Sequence, residues 1–170
     1  MFRFSLLRVA VAGALMLAAL APLTASAQAA VGAAAPSFDL PGTSAPVRLA
    51  DLRGRVVLVD FWASWCAPCK LSFPWMNEMQ AKYGPKGLQV VAINVDSKRA
   101  DADRFLATTP VQFAVAFDPA GNTPKAYAIK GMPSSFIVGT DGKVLYAHTG
   151  FRDADKDDLE EKIRQALLRR

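Results

Sequence analysis

The chain has only two cysteines, Cys66 and Cys69, and they stand two residues apart, just after an apolar run at 56–62. A buried strand that runs into two thiols at the start of a helix is typical of a redox site in an α/β protein. A structural disulfide gains most by closing a long loop, and this loop is almost as short as a loop can be. The pair is therefore interpreted as a two-electron switch and not as a cross-link.

The competing interpretation of two cysteines at this spacing is half of a zinc site. Zinc normally takes four ligands from cysteine, histidine or carboxylates. The chain has one histidine, His148, far along the sequence, and no second cysteine pair. The sequence therefore predicts redox chemistry with no metal and no dissolved cofactor, and His148 is expected to be an ordinary strand residue.

Residues 1–27 have the three parts of a secretory signal. Arg3 and Arg8 make a basic start, an apolar stretch follows at 9–23, and residues 25–27 (ASA) form a small-residue cleavage site. The apolar stretch is shorter than the ~20 residues that a bilayer span requires. We expect cleavage after residue 27 and export to the periplasm, with an uncleaved membrane anchor as the alternative.

The mature part fits one domain, with a linker at 28–35 and the folded unit at 36–170. The whole chain has a formal charge of +5, and without Arg3 and Arg8 this falls to +3. Acidic residues are interleaved with the basic ones, so no nucleic-acid partner is indicated. In an oxidising compartment, such a protein is expected to act on the thiols of other proteins.

The predicted elements alternate between strands and helices. The strands are predicted at 38–40, 47–49, 56–62, 88–95, 112–117, 135–138 and 144–148, and the helices at about 70–83, 98–108, 123–128 and 154–168. The first two strands form a hairpin, and the last two form another around an Asp-Gly turn. This order predicts an α/β fold in which helices flank a mixed sheet.

Helical spacing also predicts which side chains face the core. In the helix after the cysteines, Leu71, Trp75, Met76 and Met79 recur at helical intervals and are expected to be buried.

Two segments resemble the thioredoxin family. Residues 59–70 (VDFWASWCAPCK), followed by Pro74, are similar to its active-site segment, and residues 131–138 (GMPSSFIV) to its cis-proline loop. Gly150 resembles the glycine before its last helix. The N-terminal hairpin and a longer stretch at 95–131 resemble the exported, redoxin-like TlpA/ResA branch. The resemblance implies a thioredoxin-like fold with a central insert, acting as a thiol–disulfide oxidoreductase.

The two thiols are expected to have different roles. Cys66 is predicted to attack, because the N–H groups and dipole of the helix start favour its thiolate. Cys69, one turn further on, would resolve the mixed disulfide. Trp65 is expected to cover the disulfide and to contact clients. The resemblance implies that Met132 and Pro133 form a cis pair whose backbone binds an extended substrate.

Asp60 is the acid on the otherwise apolar strand that leads into the motif. Burial of a carboxyl raises its pKa, and the resemblance implies that Asp60 takes the proton from Cys69. The lysine that thioredoxin places near this acid falls at Ala92, so that part of the proton network is missing. The alternative is that Asp60 only hydrogen-bonds a neighbouring loop.

Three other functions are known for proteins with related folds or a close cysteine pair. Peroxidase chemistry is disfavoured because Ala63 and Val59 stand where a peroxiredoxin needs its Thr or Ser and, further upstream, its Pro. A disulfide-forming oxidase of the same fold and a copper chaperone using Cys66 and Cys69 remain alternatives. The resemblance implies client proteins with disulfides, cytochrome c maturation factors among the candidates, and a membrane electron donor of DsbD type. We expect the protein to be a monomer.

Overall fold

A computed structural model describes residues 29–169, and the predicted signal segment at 1–27 lies outside them. The strands are β1 Asp39–Leu40, β2 Val47–Arg48, β3 Val56–Trp62, β4 Leu88–Asn94, β5 Ala114–Phe117, β6 Ser134–Val138 and β7 Val144–Thr149. The helices are α1 Ala67–Tyr83, α2 Arg99–Thr108, α3 Asn122–Ala126 and α4 Lys156–Leu168. In the described part of the chain, no helix has both the length and the hydropathy that a bilayer crossing requires.

Five strands form a mixed sheet in the order β5-β4-β3-β6-β7. The β3, β4 and β5 strands are parallel, and β6 runs antiparallel to both β3 and β7. β1 and β2 form a separate antiparallel pair, as the sequence predicted. The predicted fold class is confirmed: a mixed central sheet, an N-terminal hairpin, and helices on both faces.

The two faces of the sheet bury different clusters. On one face, Leu58 and Trp62 of β3 pack with α1, α2 and α4. On the other face, Phe61 packs with Phe136 and with Tyr127, which follows α3. Because helices or loops cover both faces, β3 is buried along its whole length, which explains its apolar sequence.

One predicted core position on α1 is wrong. Leu71 is 63% exposed, whereas Phe73, which was not in the predicted stripe, is fully buried. At about 100° per residue, Leu71 points roughly opposite to the face that carries Phe73 and Met76. Trp75 lies at the flank of that face and is buried because Phe151 packs on it, with ring centroids 5.5 Å apart. The apolar stripe predicted for α1 was therefore centred on this flank and not on the middle of the buried face.

The segment before β3 covers both edges of the sheet. Gly32 and Ala35 donate backbone hydrogen bonds to the β7 side, at Val144 and Gly142. Residues 41–43 make two more with β5 at the opposite edge. Since unpaired edges invite association with other chains, this segment closes the sheet. Residues 32–35 of the predicted linker are therefore attached to the domain.

Candidate active site

Cys66 and Cys69 lie where β3 gives way to α1, and they form a disulfide. Cys66 is the residue just before the helix, and its Sγ accepts a hydrogen bond from the Cys69 backbone N–H at 3.3 Å. Pro68 lies in the first turn, where helices tolerate proline. Cys66 is 5% exposed and Cys69 is fully buried. Cys66 is thus the more accessible of the two cysteines. Its sulfur is also the one that the helix start favours as a thiolate.

An open groove of about 590 Å³ runs beside the disulfide. Trp65, Pro68 and Met132 line it, together with Cys66 itself, and the Trp65 side chain is 70% exposed. The peptide bond between Met132 and Pro133 is cis. Pro133 is buried and is not part of the lining. Trp65 and Met132, both predicted from the sequence, therefore line the same groove as Cys66, whereas Pro133 does not.

Asp60 lies in the middle of β3 and is 1% exposed. Leu58 and Trp62, its neighbours on the same face of the strand, belong to the core cluster that contains Cys69. Burial raises the pKa of Asp60 to about 7, and a hydrogen bond from the Ser135 hydroxyl acts in the opposite direction. That bond is 2.6 Å long and ends on Oδ1, whereas Oδ2 has no hydrogen-bond partner in the described part of the chain. A carboxyl in this state can hold or release a proton near neutral pH.

Ala92 of β4 lies directly opposite Asp60 in the sheet. This is the position at which the sequence comparison with thioredoxin placed the missing lysine. On the other side of β3, Ser135 of β6 is the partner of Asp60 in register. Ser135 is the polar contact that sequence reasoning missed, because the pairing of β3 with β6 is not encoded locally.

Asp96, just after β4, is a second buried carboxyl near the cysteines that the sequence did not single out. Its Oδ2 accepts bonds from the Ser64 backbone N–H at 2.9 Å and from the Asn94 amide at 2.7 Å, and its Oδ1 accepts from the Ser64 hydroxyl at 3.0 Å. Ser64 stands two residues before Cys66. Asp96 therefore fixes the loop that presents the cysteine pair.

His148 lies on β7, with its Nε2 3.6 Å from Asp155 Oδ2. Within residues 29–169, no three histidine, cysteine or acidic side chains are grouped as a metal site would require. His148 pairs in register with Ser135, so it shares the face of the sheet that carries Asp60.

The similarity of this chain to known proteins agrees with this geometry. A family model described as Redoxin matches residues 30–163. The thiol-disulfide oxidoreductase ResA of Bacillus thuringiensis subsp. konkukian is 34% identical over 138 residues, covering 79% of this chain and 78% of the relative. ResA of Bacillus subtilis is 33% identical over 120 residues, covering 70% and 67%.

A solved structure is more similar still. It is a Chlorobium tepidum protein provisionally assigned as the thiol:disulfide interchange protein DsbE, with 58% sequence identity and a TM-score of 0.80. The match covers 81% of this chain and 98% of that one.

Proposed function

Since this chain belongs to the redoxin family of thioredoxin-fold thiol–disulfide oxidoreductases, we propose that it works outside the cytoplasm and reduces disulfides in client proteins. The observation that carries the proposal is the Cys66–Cys69 pair, which stands at a helix start and opens onto a groove. The groove offers the apolar side chains of Trp65 and Met132 to an extended client segment.

The reaction proceeds by two thiol–disulfide exchanges. In the reduced protein, the Cys66 thiolate attacks a client disulfide, forms a mixed disulfide, and releases one client thiolate. Cys69 then loses its proton to Asp60 and attacks the Cys66 sulfur. The Cys66–Cys69 disulfide forms, the bond to the client breaks, and the second client thiolate leaves with the electron pair and is protonated by solvent. Two electrons have passed from the protein to the client.

Two features support a site of action outside the cytoplasm: the signal pattern of the first 27 residues and the need for electrons. The signal pattern supports export to the periplasm, and the names of the relatives, thiol-disulfide oxidoreductase and thiol:disulfide interchange protein, support thiol–disulfide exchange as the activity there. The resemblance to the TlpA/ResA branch supports cytochrome c maturation factors as one class of client. A reductant in that compartment has to be recharged from the membrane. A dithiol donor of DsbD type would return the Cys66–Cys69 disulfide to two thiols.

Trapping of the mixed disulfide tests the proposal. In Cys69→Ser the resolving thiol is gone, so client proteins are expected to accumulate as mixed disulfides on Cys66, and electrophoresis without reductant detects them. The matched control is Cys66→Ser, which should trap none. Trapping on Cys69 in that control, with none on Cys66, would reverse the assignment of the two thiols.

The midpoint potential decides the direction of electron flow. A reductant is expected to lie near the thioredoxin value of about −270 mV, and a value near the DsbA figure of about −120 mV would indicate an oxidase instead. Metal analysis of the same reduced sample checks the copper alternative.

A further inference from the structure

Asp60 has a single hydrogen-bond partner in the part of the chain that the structure describes. The Ser135 hydroxyl donates to Oδ1 at 2.6 Å, and both side chains are buried. Oδ2 is buried as well and accepts no hydrogen bond from any of the described residues. On the opposite flank of β3, the registered partner Ala92 presents only a methyl group. The state of this carboxyl therefore depends on one hydroxyl.

We propose that Ser135 is a positioning residue for the proton transfer: by holding Oδ1 of Asp60, it leaves Oδ2 as the atom that receives the proton of Cys69. This inference rests on the proposed function of Asp60 in resolution. Ser135 touches neither the client nor the sulfurs in this scheme, and it acts through Asp60 alone.

A hydroxyl suits this position for an electrostatic reason. A donor hydrogen bond to a carboxylate stabilises its charged form, while burial in apolar surroundings disfavours that form. With neither a donor nor a cation beside it, Asp60 would already be protonated at neutral pH and could not accept another proton. A neutral donor keeps the carboxyl ionisable without adding a second buried charge, which would carry its own desolvation cost.

The Ser135 hydroxyl also fixes the orientation of the Asp60 carboxyl group. The end of an aspartate side chain rotates freely in a broad, two-fold well. A short bond on Oδ1, from a residue that the β3–β6 register holds in place, selects one orientation of the carboxyl plane. Oδ2 is then presented on the sheet face that α1 and Cys69 cover.

The other side chains around this face of the sheet bear on whether Ser135 controls the ionisation of Asp60. The elements around Asp60 present Ala92 from β4, the Cys66–Cys69 pair from α1, Leu159 and Ile163 from α4, and Tyr146 and His148 from β7. Among these side chains, Tyr146 and His148 are the ionisable ones in the oxidised protein. Tyr146 donates a hydrogen bond to Asp158, and His148 Nε2 lies 3.6 Å from Asp155 Oδ2, both towards α4.

In the proton step, the Cys69 S–H bond breaks and the proton passes to Asp60 Oδ2. The Cys69 electron pair forms the new bond to the Cys66 sulfur, and the bond between Cys66 and the client sulfur breaks. The Ser135–Oδ1 bond persists throughout. No electron or proton passes through Ser135 itself.

The titration of Asp60 tests the inference without a client. Carbon-detected NMR follows the Asp60 carboxyl carbon in the oxidised full-length protein as the pH is varied. Ser135→Ala removes the donor and is expected to raise the midpoint by about one to two pH units. Ser135→Thr keeps a hydroxyl and should restore the wild-type midpoint. If Ser135→Ala does not fold, Ser135→Gly removes the same donor.

Ser134→Ala is the matched control. Ser134 is the adjacent buried serine of β6, but its hydroxyl donates to the Gly131 carbonyl oxygen at 2.7 Å and not to Asp60. The Asp60 midpoint should be unchanged in this variant. An unchanged midpoint in Ser135→Ala, or an equal shift in Ser134→Ala, would overturn the inference.

A single-turnover measurement links the titration to the reaction. The release of a client from its mixed disulfide on Cys66 should slow about 10-fold in Ser135→Ala at pH 7 and recover as the pH rises. A purely structural loss would slow release equally at every pH, which would contradict a positioning role. If the wild-type protein reduces no client at all, the proposed function fails, whereas the NMR titration still decides whether Ser135 controls Asp60.

Discussion

Two buried carboxyl groups flank the cysteine pair, and the protein holds them in opposite ways. Asp96 accepts three hydrogen bonds, two from Ser64 and one from Asn94. Asp60 accepts one, from Ser135, and its second oxygen has no partner among residues 29–169. The first arrangement fixes a loop, and the second leaves a proton-binding atom free. Burial alone therefore does not distinguish the two acids, whereas the number of their hydrogen-bond donors does.

The two arrangements also differ in what they do to stability. Hydrogen bonds to an ionised group are among the stronger ones in proteins, so the Asp96 cluster stabilises the loop before Cys66. A carboxyl in apolar surroundings with one donor is costly to ionise, so Asp60 lowers the stability of the fold near neutral pH. The same substitution, Asp to Asn, is therefore expected to act in opposite directions at the two positions.

The largest expected effect is on the resolution step. Asp60→Asn removes the proton acceptor, so the release of the client from Cys66 should slow by up to ~10²–10⁴-fold, the range for such acid–base assistance. Stopped-flow measurement of client release from pH 6 to 8 tests this. Alkylation of Cys66 in the reduced protein should stay fast, because the first step does not use Asp60. Release at the wild-type rate across this range would leave Asp60 with a structural role only.

The next largest effect is on the stability of the oxidised protein. The pKa of Asp60 is raised to about 7 in the folded state, from 3.8 in the absence of its surroundings. Between these values the folded state binds more protons than the unfolded state, so the Asp60 contribution to stability falls as the pH rises. Asp60→Asn should therefore raise the free energy of unfolding by about 4 kcal/mol above pH 7, where the penalty is complete.

At pH 4 the same substitution should change the free energy of unfolding very little, because the carboxyl is largely protonated in the folded state. Urea denaturation at pH 4 and pH 8 measures the difference. A gain of equal size at both pH values would show that the effect comes from packing and not from ionisation.

Only one of the two carboxyls could be identified from the sequence. Asp60 interrupts a strand that is otherwise apolar, so its burial could be inferred locally. The absence of a lysine at position 92, where Ala92 stands, followed from the resemblance to thioredoxin. Asp96 follows a strand end, where acids are common, and its role depends on contact with Ser64, 32 residues earlier. Ser135 was missed for the same reason: its contact with Asp60 depends on a register between distant strands.

The elements of the fold were more predictable than the contacts between them. The limits of β3 match the predicted 56–62 because a fully buried strand is apolar from end to end. The attachment of residues 32–35 to β7 could not be seen, since backbone bonds to a sheet edge leave no side-chain pattern. Leu71 shows the limit of helical periodicity, because spacing gives an apolar stripe but not which helix edge another element covers.

The third expected effect is a loss of stability in Asp96→Asn, opposite in sign to the gain expected for Asp60→Asn. Asp96→Asn keeps the shape of the side chain but replaces one acceptor oxygen with a donor, which opposes the donors of Ser64 or Asn94. The free energy of unfolding should fall by about 1–3 kcal/mol, the cost of leaving a buried polar group unpaired. Denaturation at pH 8 measures this beside Asp60→Asn. A stabilised Asp96→Asn would remove the distinction between the two carboxyls.

The smallest effect separates the two bonds that Ser64 makes to Asp96. Ser64→Ala removes the hydroxyl bond to Oδ1 but keeps the backbone bond to Oδ2, so the free energy of unfolding should fall by about 0.5–1.5 kcal/mol. The effects of two substitutions on the free energy of unfolding are not additive when the residues belong to one network, whereas they add when the two sites share no partner. The double variant with Asp96→Asn should therefore deviate from additivity, and the one with Asp60→Asn should not. Coupling between Ser64→Ala and Asp60→Asn would show that the two carboxyls, despite their separate donors, belong to one network beneath the cysteines.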